Sequence, residues 1–205
     1  MKRHVRVYVE GGAEGKTADS DFRRGWKKFL LELHELARDN GYHSLEIVRG
    51  KGRARTFSLF AKHKNSYPQD LCVLLADSET AVPAGADVWS IVANRPGDKW
   101  QRPAWATEKH LYLMVHFVET WLLTDQDALQ QYFKKAFKKD PLPKSNLEAR
   151  SKADIEAALK KATNGAYRHG QAHEVIELVD PDCVKTLHHG NRLFTTLSKF
   201  IRGEQ

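Results

Sequence analysis

Val5, Val7 and Val9 alternate with His4, Arg6 and Tyr8 over the first stretch of the chain, the period-two pattern of a strand. That pattern runs into Glu10 and then Gly11-Gly12, a turn through which no strand continues. From Asp19 to Asp39 the spacing changes to three and four. Phe22, Trp26, Phe29, Leu30, Leu33 and Leu36-Ala37 recur among Arg, Lys and Glu, which predicts an amphipathic helix closed by Asn40-Gly41. Ser44 to Val48 reads as a second strand, and Arg53 to Lys64 as a second helix with Phe57, Phe60 and Ala61 inward. Asp70 to Ala76 is a continuous apolar run, the pattern of a strand buried on both faces, and it ends at Asp77-Ser78-Glu79.

The alternation strand, helix, strand, helix, strand predicts an α/β fold: a mostly parallel, Rossmann-like sheet flanked by helices. Between Val82 and Ala106 the pattern loosens around Pro83, Gly85, Pro96, Gly97 and Pro103, either as a loop folded over the sheet or as a mobile segment. His110 to Val115 restores strand character. Glu119 to Asp125 begins a helix that restarts at Asp125 as N-cap, with Leu129, Tyr132 and Phe133 buried. Pro141 to Ser145 is a break. Lys152 to Ala162 (capped by Ser151), His173 to Val179 and Asn191 to Ile201 complete a helical C-terminal part. The expected organisation is one domain, with an α/β core over 1–125 and a helical extension over 126–205.

Composition narrows the class. The 205 residues are 41% hydrophobic and 29% charged, enough for one packed domain, and contain no apolar run long enough to span a membrane. With no apolar signal core after Met1-Lys2-Arg3-His4, the expected compartment is the cytoplasm. Cys72 and Cys183 form neither a metal spacing nor a disulfide framework; Cys72, inside an apolar run, reads as core. A net charge of +7 favours polyanionic partners, nucleic acid first. The excess concentrates at Lys51, Arg53 and Arg55 and at Lys134, Lys135, Lys138 and Lys139. Charge runs of this kind are also what solvated helix faces carry.

Candidate chemistry lies at strand ends. Glu10 on its own reads equally as a solvated turn residue or as a carboxylate at the edge where open α/β sheets place ligands. Asp77 and Glu79 end a second strand. If the two strands are neighbours, about 4.8 Å apart, three carboxylates converge. Such a cluster is costly unless a cation neutralises it, and hard oxygen ligands suit Mg²⁺ or Mn²⁺. Glu119 is a candidate for a further metal contact, against the alternative of a first-turn acid favouring a helix dipole. Asp125 is better explained as a cap, and Glu14 lies within reach of the same turn. Gly15-Lys16-Thr17 is not a P-loop, because the required glycine five positions earlier is Glu10. Lys16, Lys51, Arg53, Arg55, Arg168 and His173 are candidate nucleic-acid contacts. His169 and His173 have a helical metal spacing, but Gly170 argues against a helix there and no Cys or carboxylate partner is evident. The tryptophans are more simply core or loop anchors than base-stacking platforms.

The stretches Val7-Tyr8-Val9-Glu10-Gly11 and Leu74-Leu75-Ala76-Asp77-Ser78-Glu79 resemble, in order and strand context, the Toprim fold of topoisomerases, primases and overcoming-lysogenization-defect nucleases. With His110 to Val115, Glu119 to Asp125 and Tyr167 to His173, nearly the whole chain is similar to the bacterial domain-of-unknown-function family 4276. The Toprim resemblance implies a Mg²⁺- or Mn²⁺-dependent nuclease cutting DNA or RNA (tRNA included), with Glu10 near the scissile phosphate and Asp77 and Glu79 holding metal. It also implies a partner ATPase of the AAA or structural-maintenance type in antiphage defence. Glu79 departs from the aspartate common at that position, lengthening the ligand by one methylene. Two alternatives use the same residues: a non-catalytic subunit docking on an ATPase, and a hydrolase of small phosphate esters.

Overall fold

Alternation along strand β1 (Val5–Val9) sorts its side chains between two buried faces, and the rest of the fold follows from filling both. The computed structural model describes residues 2–11, 16–143 and 145–204, and the side chains within these except for 16–18 and 169. The sheet is four parallel strands, β1, β2 (Leu45–Arg49), β3 (Leu71–Asp77) and β4 (Leu111–Met114), in the order β2-β1-β3-β4. Val5, Val7, Val9, Val73, Leu75, Tyr112 and Met114 face one layer. Tyr8, Cys72, Leu74, Ala76, Leu111 and Leu113 face the other. The expected α/β class and the buried central strand are both present, and Cys72 is core.

The first layer holds α1 (Lys16–Phe29) and α2 (Leu31–Asp39), with the C-terminal helices α6 (Glu119–Leu122), α7 (Gln126–Phe133), α8 (Lys152–Ala162), α9 (Ala172–Val175), α10 (Pro181–Val184) and α11 (His188–Arg202). Its centre is aromatic. Trp121 is fully buried, with its ring 6.2 Å from Trp26 and 5.8 Å from Phe29, and Phe29 meets Phe194 edge-on at 5.6 Å. Burying each such side chain contributes about 1.5–3 kcal/mol, which ties α11 to the sheet core. The second layer holds α3 (Arg53–Ala61), α4 (His63–Ser66) and α5 (Val88–Asn94).

Several predicted elements differ in detail. The single helix over 19–39 begins earlier, at Lys16, and is interrupted at Leu30, whose buried side chain continues the apolar stripe across the joint. The predicted helix over 53–64 is likewise split at Lys62. The predicted helix over 173–179 is only the single turn α9, followed by α10, whose start is fixed by Asp180 as cap and Pro181 in the first turn. The loosened stretch over 82–106 is folded over the sheet and contains α5, capped by Asp87. Its tryptophans are anchors: Trp89 and Trp100 are buried, and the Trp89 indole donates to the Thr107 carbonyl at 3.0 Å. Asp125 caps α7, accepting from Asp127 and Ala128 amides. Among the described residues, no helix is long and apolar enough to cross a membrane.

The strand order sets the position of the site. From β1 the chain crosses to β2 on one side; from β2 it returns to β3 on the other. The connections therefore part between β1 and β3, opening a crevice at their carboxyl ends, where sheets of this order bind ligands.

Candidate metal centre

Glu10 follows β1 directly, and its amide donates to the Leu75 carbonyl of β3 at 2.9 Å, so the residue is held at the sheet edge. Asp77 is the last residue of β3, two beyond the Val9 pairing and opposite Met114 of β4. The chain then turns: the Ser78 amide donates to Met114 (2.9 Å), the Glu79 amide to His116 (2.8 Å), and the His116 amide to Ser78 Oγ (2.8 Å). Glu79 and His116 both take left-handed backbone angles, φ 62° and 61°. Non-glycine residues adopt this conformation at a cost, and only where the surroundings fix it. The Glu79 carboxylate therefore reaches the centre from a locked turn, not through strand alternation.

The result is one cluster. Carboxylate oxygens of Glu10, Asp77 and Glu79 lie within 4.8 Å of one another. Glu10 Oε2 accepts from Arg53 Nη1 at 2.6 Å and from the Asp77 amide at 3.2 Å. Arg53 also donates to the Asp77 carbonyl (2.5 Å) and to Asp98 Oδ2 (2.7 Å), and its guanidinium lies 4.4 Å from the centroid of Trp100. Lys152, in the first turn of α8, donates to Glu79 Oε2 at 2.7 Å. Glu119, only 3% exposed, accepts from the Tyr167 hydroxyl at 2.6 Å. Together Glu10, Asp77, Glu119 and Lys152 border a recess of about 190 Å³, with Phe22, Trp26 and His173 on its α1–α9 side.

Among the described residues, the electrostatics are those of an anionic site with more carboxylates than cations. Asp77 is pushed well above the usual carboxylate range by burial first, then by Glu10, Glu119 and Glu79. Burial also raises Glu10, against the opposing Arg53 charge. Burial and then Glu119 raise the Tyr167 phenol, so it donates and does not ionise. Against four carboxylates, the described side chains place two cations at the centre, Arg53 and Lys152. Asp77 Oδ1 is buried and accepts no hydrogen bond from the described residues. A buried carboxylate oxygen with no donor is costly, and hard divalent cations satisfy such oxygens. The donor set fits Mg²⁺ or Mn²⁺: Asp77, Glu10 and Glu79 would hold the ion, with Glu119 beside them.

Of the residues singled out in the sequence, Glu10, Asp77, Glu79 and Glu119 are brought together. His173 borders the same recess and is 7% exposed; burial lowers its pKa, which favours the neutral ring there. Arg53, expected on the nucleic-acid surface, instead binds Glu10 and Asp98 inside the fold. Lys51 pairs with Asp19 on the exterior, and Arg55 is exposed. Arg168 is exposed near Tyr167, donating to the carbonyls of Gly165 and Tyr167. Glu14 and the side chains of Lys16 and His169 lie outside the described residues. Lys152 and Asp98 were not anticipated. Lys152 is 73 positions from Glu79 and follows an ordinary N-cap serine, so no local pattern marks it.

One family model, described as "Domain of unknown function (DUF4276)", matches residues 9–198. The chain belongs to this family. The match to DUF4276 spans both Glu10 and the helices that carry Lys152 and Tyr167, so it covers the whole constellation. No curated protein and no solved structure matches the chain.

Proposed function

We propose that this DUF4276 protein is a metal-dependent phosphodiesterase of Toprim type that cleaves nucleic acid. The observation that carries this reading is the Glu10–Asp77–Glu79 cluster in the β1/β3 crevice, with a buried Asp77 oxygen that no donor among the described residues meets. A bound Mg²⁺ or Mn²⁺ would supply Lewis-acid polarisation of a phosphoryl oxygen and acidify a water. The chain's own groups do the rest. Asp98 and Trp100 hold Arg53, and Arg53 fixes Glu10 at one wall of the recess. Lys152, bound to Glu79 at the edge of the recess, is a cation that would meet charge growing on phosphate oxygens during in-line attack. Tyr167 fixes the orientation of Glu119. The net charge of +7 supports a polyanionic substrate over a small neutral one.

The test is cleavage of labelled DNA and RNA, single-stranded and duplex, and of tRNA, with Mg²⁺ or Mn²⁺ and with EDTA. The expected result is metal-dependent cutting by the wild type that Asp77→Asn and Glu10→Gln abolish. Equal cutting by these variants, or cutting in EDTA, refutes the assignment.

A further inference from the structure

Two basic runs stand out in the sequence, and their surroundings separate them. In the first, Arg53 is consumed by Glu10 and Asp98, and Lys51 by Asp19. In the second, Lys134, Lys135, Lys138 and Lys139 are all exposed. Only Lys139 has an acidic partner among the described residues, the exposed Asp127.

The fold adds to this second run. The Lys138 amide donates to the Ala162 carbonyl at 2.7 Å, setting the run against the last turn of α8, where Lys160 and Lys161 are also exposed. The Gly165 amide donates back to Lys160 (2.7 Å) and the Tyr167 amide to Thr163 Oγ1 (3.2 Å), which brings Arg168 to the same face. The Phe133 and Tyr167 rings, 6.2 Å apart, close the seam beneath. Three separate segments thus build one cationic surface; the acids of the elements that carry it are Asp127 on α7, Asp140 after the run, and Asp154 and Glu156 on α8.

This surface leads to the carboxylate centre. A recess of about 260 Å³ is bordered by the cations Lys160 and Arg168, by Leu159, Gly165 and Tyr167, and by the carboxylates of Glu119 and Glu156. Glu119 borders both this recess and the carboxylate recess. Apolar and aromatic walls bordered by cations are the chemistry that takes an unstacked base and its flanking phosphates.

We infer that the face formed by 134–139, 160–161 and Arg168 is the binding track for a single-stranded nucleic acid, which places one base in the Leu159–Tyr167 recess beside the carboxylates. The inference rests on the phosphodiesterase reading for its orientation, but it is testable without cleavage.

The experiment is fluorescence anisotropy with a labelled 20-nucleotide single strand in EDTA, across a salt series. The variants are Lys134→Glu/Lys135→Glu/Lys138→Glu and Lys160→Glu/Lys161→Glu, with Lys51→Glu/Arg55→Glu as control and circular dichroism confirming folding. The first variant should weaken binding at least tenfold and flatten the salt slope by about 2, since each lost single-strand phosphate contact removes roughly 0.7. The second should weaken it several-fold, and the control less than twofold. An abasic strand of equal charge should bind several-fold more weakly than the normal strand, and a duplex no more tightly. Wild-type affinity in both lysine variants, an equal loss in the control, equal binding of the abasic strand, or preference for duplex overturns the inference. If the wild type binds on this face yet cuts nothing with metal, the phosphodiesterase reading fails and the track stands. If it cuts while the lysine variants bind normally, the reverse holds.

Discussion

Replacing Asp77 by Asn tests the centre through stability before any substrate is known. At about 4.8 Å and an effective dielectric constant near 20, two ionised carboxylates repel by roughly 3–4 kcal/mol. Arg53 and Lys152 offset part of this at Glu10 and Glu79, but among the described residues no side-chain cation pairs with Asp77. Neutralising Asp77 while keeping its shape should therefore stabilise the metal-free protein by about 1–3 kcal/mol. For a chain of this size that is an increase in Tm of roughly 2–4 °C per kcal/mol. The pH dependence has a definite sign. The native pKa of Asp77 is raised above its unfolded value of about 3.9, so the native state binds the extra proton. Its stability is fully present below that value and is lost as pH rises through the native one. In EDTA the two proteins should thus melt together near pH 4 and diverge in favour of Asn at higher pH. Metal reverses the order of gains: an ion at a hundred times its Kd stabilises the wild type by about 2.7 kcal/mol and Asp77→Asn by little. Calorimetric melting with EDTA, Mg²⁺ and Mn²⁺ reads all of this. A variant that melts lower than wild type in EDTA at pH 7–8, or keeps the full metal shift, refutes the reasoning.

Other perturbations probe the supports. Arg53→Met leaves Glu10 and Asp98 without their shared guanidinium and should cost about 3–5 kcal/mol in urea denaturation; Arg53→Lys should recover only part, because one ammonium cannot serve both carboxylates. Gly25→Ala places a Cβ about 2.2 Å from the His173 carbonyl and so pushes α1 from α9 beside the recess; a loss of about 1–3 kcal/mol is expected, read by chemical denaturation, and metal affinity should fall with it. Asp125→Ala removes the acceptor for the Asp127, Ala128 and Asp180 amides, for about 2–3 kcal/mol, with no change in metal binding. Burial lowers His63 and His110 to about 4, below the unfolded value near 6.5, so the native state binds fewer protons. Stability should fall as pH drops from about 6.5 to 4, by up to about 3 kcal/mol for each histidine, and His63→Gln should flatten its share in pH-dependent melting.

The strands and two ends of the carboxylate cluster were legible because burial imposes a short, local code. Period two marked β1, and an uninterrupted apolar run marked β3. The one-turn helices α9 and α10 were blurred for the converse reason: four residues make too little periodicity to read, and caps such as Asp180 decide them. The partners of the carboxylates were not legible at all. Arg53 and Lys51 look alike in sequence, as two members of one basic run, yet one is inside the fold with Glu10 and Asp98 and the other is outside with Asp19. A charge run reports composition, whereas its role depends on which residues the fold sets opposite it.

The least local fact is the most consequential. Strand identity alone allowed β1 and β3 to be neighbours or to be separated by another strand. Had one strand intervened, their ends would stand about 9–10 Å apart, and no single cation could be shared by Glu10 and Asp77. The order β2-β1-β3-β4 puts them one strand spacing apart, and the left-handed turn at Glu79 adds the third oxygen. Once that order holds, the repulsion among the carboxylates follows from charge and distance, and a divalent cation would relieve it. A circular change of strand order that preserved every residue of β1 and β3 would abolish the cluster, so the proposed metal site is a property of the topology as much as of the three acids.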